Sequence, residues 1–287
     1  MPGGVSVARE RSGRTVAHLV LATRLKTLRE AAGMSRGEAA NALGAHTATV
    51  RRIEQAETSL DEGQVHALLT AYGAGTAEIE AFLGELAAAN LPGWWHPWRS
   101  VMDPWQLDLM SVESAARIIR VWEPALVPAL LRTPSYARAV DSIRRPDLSP
   151  ADKDRRTELL MERQKRLRQQ NTSIWAIMSA AALHTFVGNE DVMVEQRQAL
   201  RTALARPDVT LQIHPLGGRC HPMTGMPTVS LYRVDVPEIP DHVVREGDLH
   251  GSADVSSSLH AVSAYHLLMD HTCVIAPHPN ESKDVLT

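Results

Sequence analysis

At 287 residues, with 44% hydrophobic and 22% charged side chains, the chain is long enough for two modest domains and too apolar to be disordered throughout. It holds no uninterrupted apolar run of about 18 residues and no charged-then-apolar leader, which argues against a membrane-spanning or exported protein and predicts a cytoplasmic one. The net charge of −3 hides an asymmetry: residues 1–56 carry nine Lys and Arg against four Glu, a balance of +5 that leaves −8 for the rest. A basic head on an acidic body suits a protein of which only the head approaches phosphate. The two cysteines, Cys220 and Cys273, allow at most one disulfide and are expected to stay reduced.

Residues 1–16 form a polar, Arg-bearing leader, expected to be flexible. From Leu21 the apolar positions Leu21, Leu25, Leu28 and Ala32 step by four, three and four, which predicts an amphipathic helix ended by Gly33. Ser35 and Glu38 stand in the Ser-x-x-Glu spacing of a capping box, so a second helix starts there, with Ala39, Ala40 and Leu43 inward and Gly44 at its close. A third short helix begins near His46. Val50 and Ile53 anchor it, while Thr47, Ala48, Arg51, Arg52 and Gln55 point away. Two short helices joined at a glycine make a helix-turn-helix. Asp61 and Thr76 are expected to cap a fourth and a fifth helix.

The stretch Leu25-Lys-Thr-Leu-Arg-Glu-Ala-Ala-Gly-Met-Ser-Arg-Gly-Glu-Ala-Ala-Asn-Ala-Leu-Gly44, with Thr49-Val-Arg-Arg-Ile-Glu54 after it, resembles the Xre/Cro family of five-helix repressor domains. The resemblance implies an all-α DNA-binding domain over 17–90 whose third helix lies in the major groove. Base-edge contacts would then come from Thr47, Ala48 and Arg51, and phosphate contacts from Arg36 and Arg52. One departure is Ala56, which stands where the family usually has the glycine of Ile-Glu-x-Gly. It leaves the geometry of the following turn open.

Asn90-Leu-Pro-Gly93 breaks the helical pattern and places a domain boundary near residue 90. Five of the six Trp fall between Trp94 and Trp122, so their rings are expected to act in one place. They either pack the linker onto the second domain or, at Trp94, Trp95 and Trp98, offer a partner surface. Residues 91–172 read as a Trp- and Pro-rich helical region, with a helix over 111–119, short segments bent by Pro124, Pro128 and Pro134, and a long helix over 152–170. The basic run Arg163, Lys165, Arg166, Arg168 is either a solvated face or an added DNA contact.

The proline-punctuated segment from Trp122 to Ala137, with the Gly-Trp-Trp before it, is similar to the actinomycete WhiJ-like regulators, in which an Xre-type head precedes a C-terminal domain of unassigned function. That resemblance implies regulated repression with a small protein partner encoded nearby, or an antitoxin-like scaffold that mainly sequesters such a partner and autoregulates its operon. Arg132 departs from the Gln usual in the proline segment, and Ser179-Ala180 from a usual acidic pair.

The remaining 173–287 reads as strand, helix, several strands and helix: an α+β unit with one sheet, expected to bind an effector or partner. Strands are predicted from Ser173, over 209–213, 228–234 and 243–245, and helices over 191–205 and 256–269. Cys220, His221 and His214 lack the spacing of a metal site, and His266 and Asp270 at i, i+4 can meet on a helix face, as a surface hydrogen bond rather than a catalytic set. The fold class is therefore multi-domain, with an all-α head, a helical linker region and an α+β body. The function expected is a dimeric, non-enzymatic regulator of a palindromic double-stranded operator, needing no metal and no cofactor.

Overall fold

The computed structural model describes residues 15–58, 60–247 and 251–286. Of the expected leader, residues 1–14 lie outside the described residues. The chain forms two compact units, one ending at Arg99 and the other starting at Ser100.

The first unit is helical: α1 Val16–Ala31, α2 Arg36–Ala42, α3 Thr47–Glu54, α4 Glu62–Ala71 and α5 Thr76–Ala89. Each of the first four starts behind a residue in extended conformation, and the side chains of Thr15, Ser35 and Asp61 accept a backbone N–H of the first turn. Gly75 occupies the cap of α5, with Thr76 as its first helical residue. Gly33 and Gly44 adopt φ of +69° and +59°, the left-handed conformation that closes a helix without strain when no Cβ is present. The core draws Leu21 and Leu25 from α1, Ala39 and Ala40 from α2, Val50 and Ile53 from α3, and Leu68, Phe82 and Leu86 from the last two helices. The two alanines let α3 settle close against α2.

The second unit is built on a six-stranded mixed sheet of order β3-β2-β1-β4-β5-β6. Its elements are α6 Pro104–Ser114, β1 Ala116–Glu123, α7 Pro134–Arg144, α8 Pro150–Gln169, β2 Ser173–Ser179, α9 Ala181–His184, α10 Glu190–Ala203, β3 Val209–His214, β4 Val229–Val234, β5 His242–Glu246, β6 Ala253–Ser256, α11 Leu259–Ile275 and α12 Ser282–Val285. β1 pairs parallel with β2, and β2 with β3, through helical crossovers, whereas β4, β5 and β6 continue antiparallel from the other side of β1. Alternation sends Ala176 and Met178 into a core with Tyr136, Val140 and Leu200, and Trp122 and Ile177 into the opposite core with Val262 and Met269. Helices therefore cover both faces.

Residues 91–172 are not a helical region of their own, because β1, the strand on which the sheet is centred, runs through 116–123 where a helix over 111–119 was predicted. The true helix lies earlier: Asp103 and Gln106 form a capping box with Pro104 at the first position, and α6 ends at Ser114. The five Trp do not act in one place either. Trp94, Trp95 and Trp98 belong to the first unit, while Trp122 sits on β1, its indole against His221 with ring centroids 4.6 Å apart.

Candidate nucleic-acid interface

Helices α2 and α3 and the turn between them present one face outward. Val50 and Ile53, at 0% and 1% exposure, fix the inner side of α3, and the 3.6-residue period then turns Thr47, Ala48, Arg51, Arg52 and Gln55 to solvent. Thr47 is the first residue of the helix, so it and Ala48 occupy the end that enters a major groove in helix-turn-helix proteins.

The arginines of this face are held in different ways. Arg51 reaches Glu57 with both terminal nitrogens, at 3.1 and 3.2 Å, and also donates to Gln55. The pair is exposed, and such pairs contribute only about 0.2–1 kcal/mol. A bidentate base contact, at about 1–3 kcal/mol, outweighs it. Arg52 is exposed, its Nε 3.4 Å from the carbonyl of Ala48 one turn back. Arg36, the first residue of α2, donates from Nε to Glu54 at 2.8 Å with its side chain 39% exposed, so its outer edge remains available to phosphate.

Glu54 is the residue on which the motif is assembled. Its carboxylate is 1% exposed and takes Arg29 Nε at 2.5 Å on one oxygen and Arg36 on the other. Arg29 also donates to the Met34 carbonyl at 2.7 Å. One buried carboxylate thus joins α1, α2 and α3, and its hydrogen bond holds the Arg29 guanidinium above its ordinary pKa. Arg29 belongs to the basic head by sequence, but at 6% exposure it is a structural cation. The signal for this was present: Arg29 and Glu54 are the charged members of the Leu-Arg and Ile-Glu pairs that carry the family resemblance.

The predicted capping box is formed in full. Glu38 accepts from the Ser35 amide and hydroxyl, each at 2.8 Å, and these bonds lower its pKa. Ala56 has φ of +53°, so the turn keeps the left-handed conformation although a Cβ is present.

The aromatic surface differs from expectation. Trp95 is 2% exposed, and a Cβ on Gly93 would lie 2.4 Å from its ring, so it is packed against backbone and offers no face to a partner. Trp94 lies edge-on to it at 5.8 Å and to Trp98 at 6.2 Å, and both outer rings are half-buried. The basic run of α8 divides: Lys165, Arg166 and Arg168 lie at the surface, as a solvated face would have them, while Arg163 is turned inward. Arg163 makes two hydrogen bonds, 2.8 and 2.7 Å, to the buried Glu113, and Lys165 and Arg166 pair with Glu162. His266 and Asp270 do not meet: His266 faces Asp241 at 3.4 Å and Asp270 faces Arg120 at 2.6 Å. Among the described residues no three His, Cys, Asp or Glu side chains gather as a metal set, and no helix is long and apolar enough to cross a membrane.

Residues 20–82 match the family described as Helix-turn-helix domain, which spans the face just described and places the protein in the class of DNA-binding transcription regulators. Residues 106–287, well over half the chain, match the family described as Domain of unknown function (DUF5753). The chain belongs to that family. No curated protein and no solved structure gives a significant match.

Proposed function

We propose that this is a sequence-specific repressor of Xre/Cro type, similar to the WhiJ-like regulators, that reads a palindromic operator as a homodimer. Thr47, Ala48 and Arg51 contact base edges, and Arg36 and Arg52 contact phosphates. The observation that carries this reading is the outward row on α3: three polar or small residues and two arginines on a helix whose other side is sealed by Val50 and Ile53. One short recognition helix reads only a few base pairs, which is why two copies on a two-fold site are required for useful affinity. Residues 100–287 bind a small effector or a small partner protein that changes operator affinity, and the chain regulates without catalysing. For a protein partner, Trp94 and Trp98 retain accessible edges, whereas Trp95 does not.

Fluorescence anisotropy with a selected operator and with random duplex tests the assignment. Arg51→Ala is expected to weaken operator binding by about 1–3 kcal/mol with little change on random DNA. Equal losses on both would move Arg51 to the phosphate class.

A further inference from the structure

A cavity of about 170 Å³ lies in the second unit between α7, α8 and the sheet face that carries Val121 and Glu123. The register places Val121 beside Ser230 and Ser230 beside Val244, so β1, β4 and β5 floor the cavity with one row after another from the same face. The row at its end is polar. Glu123 accepts from Thr228 Oγ1 at 3.2 Å and, more loosely, from the amides of Ala125 and Leu126 at 3.3 Å.

Most charges bordering the cavity are already satisfied. Asp103 holds Arg145 at 2.8 Å and Arg156 at 3.4 Å, Asp141 also takes Arg156, and Arg163 is spent on Glu113. Arg144 approaches Glu246 only to 3.6 Å, and Glu123 and Arg132, the more buried pair, are looser still. Both side chains are buried, at 4% and 11% exposure, yet their nearest approach is 3.8 Å, too long for a hydrogen bond. Arg132 spends Nε on the Val127 carbonyl at 2.7 Å, which holds its guanidinium short of the carboxylate. Burial pushes the Glu123 carboxyl above its ordinary pKa, with Arg132 only partly opposing it. The two are joined by charge across 3.8 Å, while Glu123 takes its hydrogen bonds from the Thr228 hydroxyl and two backbone amides. Trp105, whose Nε1 is buried and has no hydrogen-bond partner among the described residues, borders the same space.

A carboxylate and a guanidinium a few ångström apart match a ligand whose own opposite charges are separated by a single carbon. Val121, Leu130, Val140 and Leu160 supply an apolar wall. The volume slightly exceeds that of a cavity of about 150 Å³ that holds benzene. We propose that the cavity binds a small aliphatic α-amino acid, its ammonium on Glu123, its carboxylate on Arg132 and Trp105 Nε1, and its side chain on the apolar wall. The assignment deepens the proposed reading of residues 100–287 as an effector-binding unit.

The test is thermal melting of the full chain with L-valine, L-leucine or L-isoleucine at about 10 mM, roughly a hundred-fold above a Kd of 0.1 mM. Isoamylamine and 4-methylvalerate, which each lack one of leucine's two charges, serve as matched controls. At least one amino acid is expected to raise the melting temperature by about 5 °C or more, with both controls well below it. Arg132→Gln and Glu123→Gln should each weaken the binding by about ten- to a hundred-fold. The proposal is overturned if none of the three amino acids shifts the transition, if either control matches leucine, or if both variants bind undiminished. The control comparison uses the unaltered chain and so decides even where a variant fails to fold. No DNA is present, so a null here leaves the operator reading standing, and a failure of operator binding leaves a melting shift intact.

Discussion

Glu54 and Ala56 stand two residues apart at the end of α3 and show how single side chains set the geometry of the recognition helix. Removing Glu54 leaves Arg29, 6% exposed, with only the more exposed Glu30, at 3.2 Å, as counter-charge and frees Arg36 from its anchor. Glu54→Ala is expected to cost about 3 kcal/mol or more in urea unfolding, the range for breaking one partner of a buried pair. Ala56 is a closer balance. Its left-handed backbone costs a residue with a Cβ about 1–2 kcal/mol. Its methyl group, 1% exposed, returns about 0.8 kcal/mol by burial, and glycine would add about 0.5–1 kcal/mol of backbone entropy to the unfolded chain. Ala56→Gly should therefore leave stability within about 1 kcal/mol of the parent, whereas Ala56→Val, β-branched at positive φ, should lose more than about 2 kcal/mol. Ala56 was legible as a departure from the expected glycine. That the backbone would keep its conformation regardless was not, because it depends on how tightly Ile53 and Leu60 hold the turn, both being 1% exposed.

Helices with local signals were legible, and elements defined by distant partners were not. The caps at Ser35 and Asp61 and the glycine stops at 33 and 44 lie within the segments they punctuate, so α1 to α4 could be placed from the sequence. β1 has no such signal. Its pattern, Ala-Arg-Ile-Ile-Arg-Val-Trp-Glu, suits a helix as well as a strand, and what decides it is pairing with β2 and with β4, the latter more than a hundred residues on. β6 is four residues at the edge of the sheet, too short for a periodicity. The cavity shares this dependence on distant pairing, since Glu123, Arg132 and Trp105 come together only once the sheet exists. The capping box of α2 carries a pH signature. The folded pKa of Glu38 is lowered, so its stabilising contribution is present above the ordinary glutamate range and is lost as pH falls through the lowered value. Carboxyl titration by NMR should place its midpoint below that of an ordinary glutamate, and Ser35→Ala should return it upward while costing about 1 kcal/mol of stability.

At the scale of the whole molecule, a helix-turn-helix unit is joined to a DUF5753 unit about twice as long, and the +5 balance of residues 1–56 does not follow the boundary between them, because Glu57, Asp61, Glu62, Glu78, Glu80 and Glu85 against Arg99 bring the unit ending at Arg99 to zero. Net charge therefore does not single out the first unit for DNA, and two of its cations are already committed, since Arg29 is buried and Arg24 is paired with Glu85 at 2.6 Å. Specific binding therefore depends on the few side chains of α3 more than on the sum of charges. Recovery of genomic DNA by the purified full chain near physiological salt, beside a variant carrying Thr47→Ala and Arg51→Ala together, tests this most directly. The account predicts a short palindromic site enriched by the parent and lost in the variant. Diffuse, salt-labile recovery that is the same for both would contradict it.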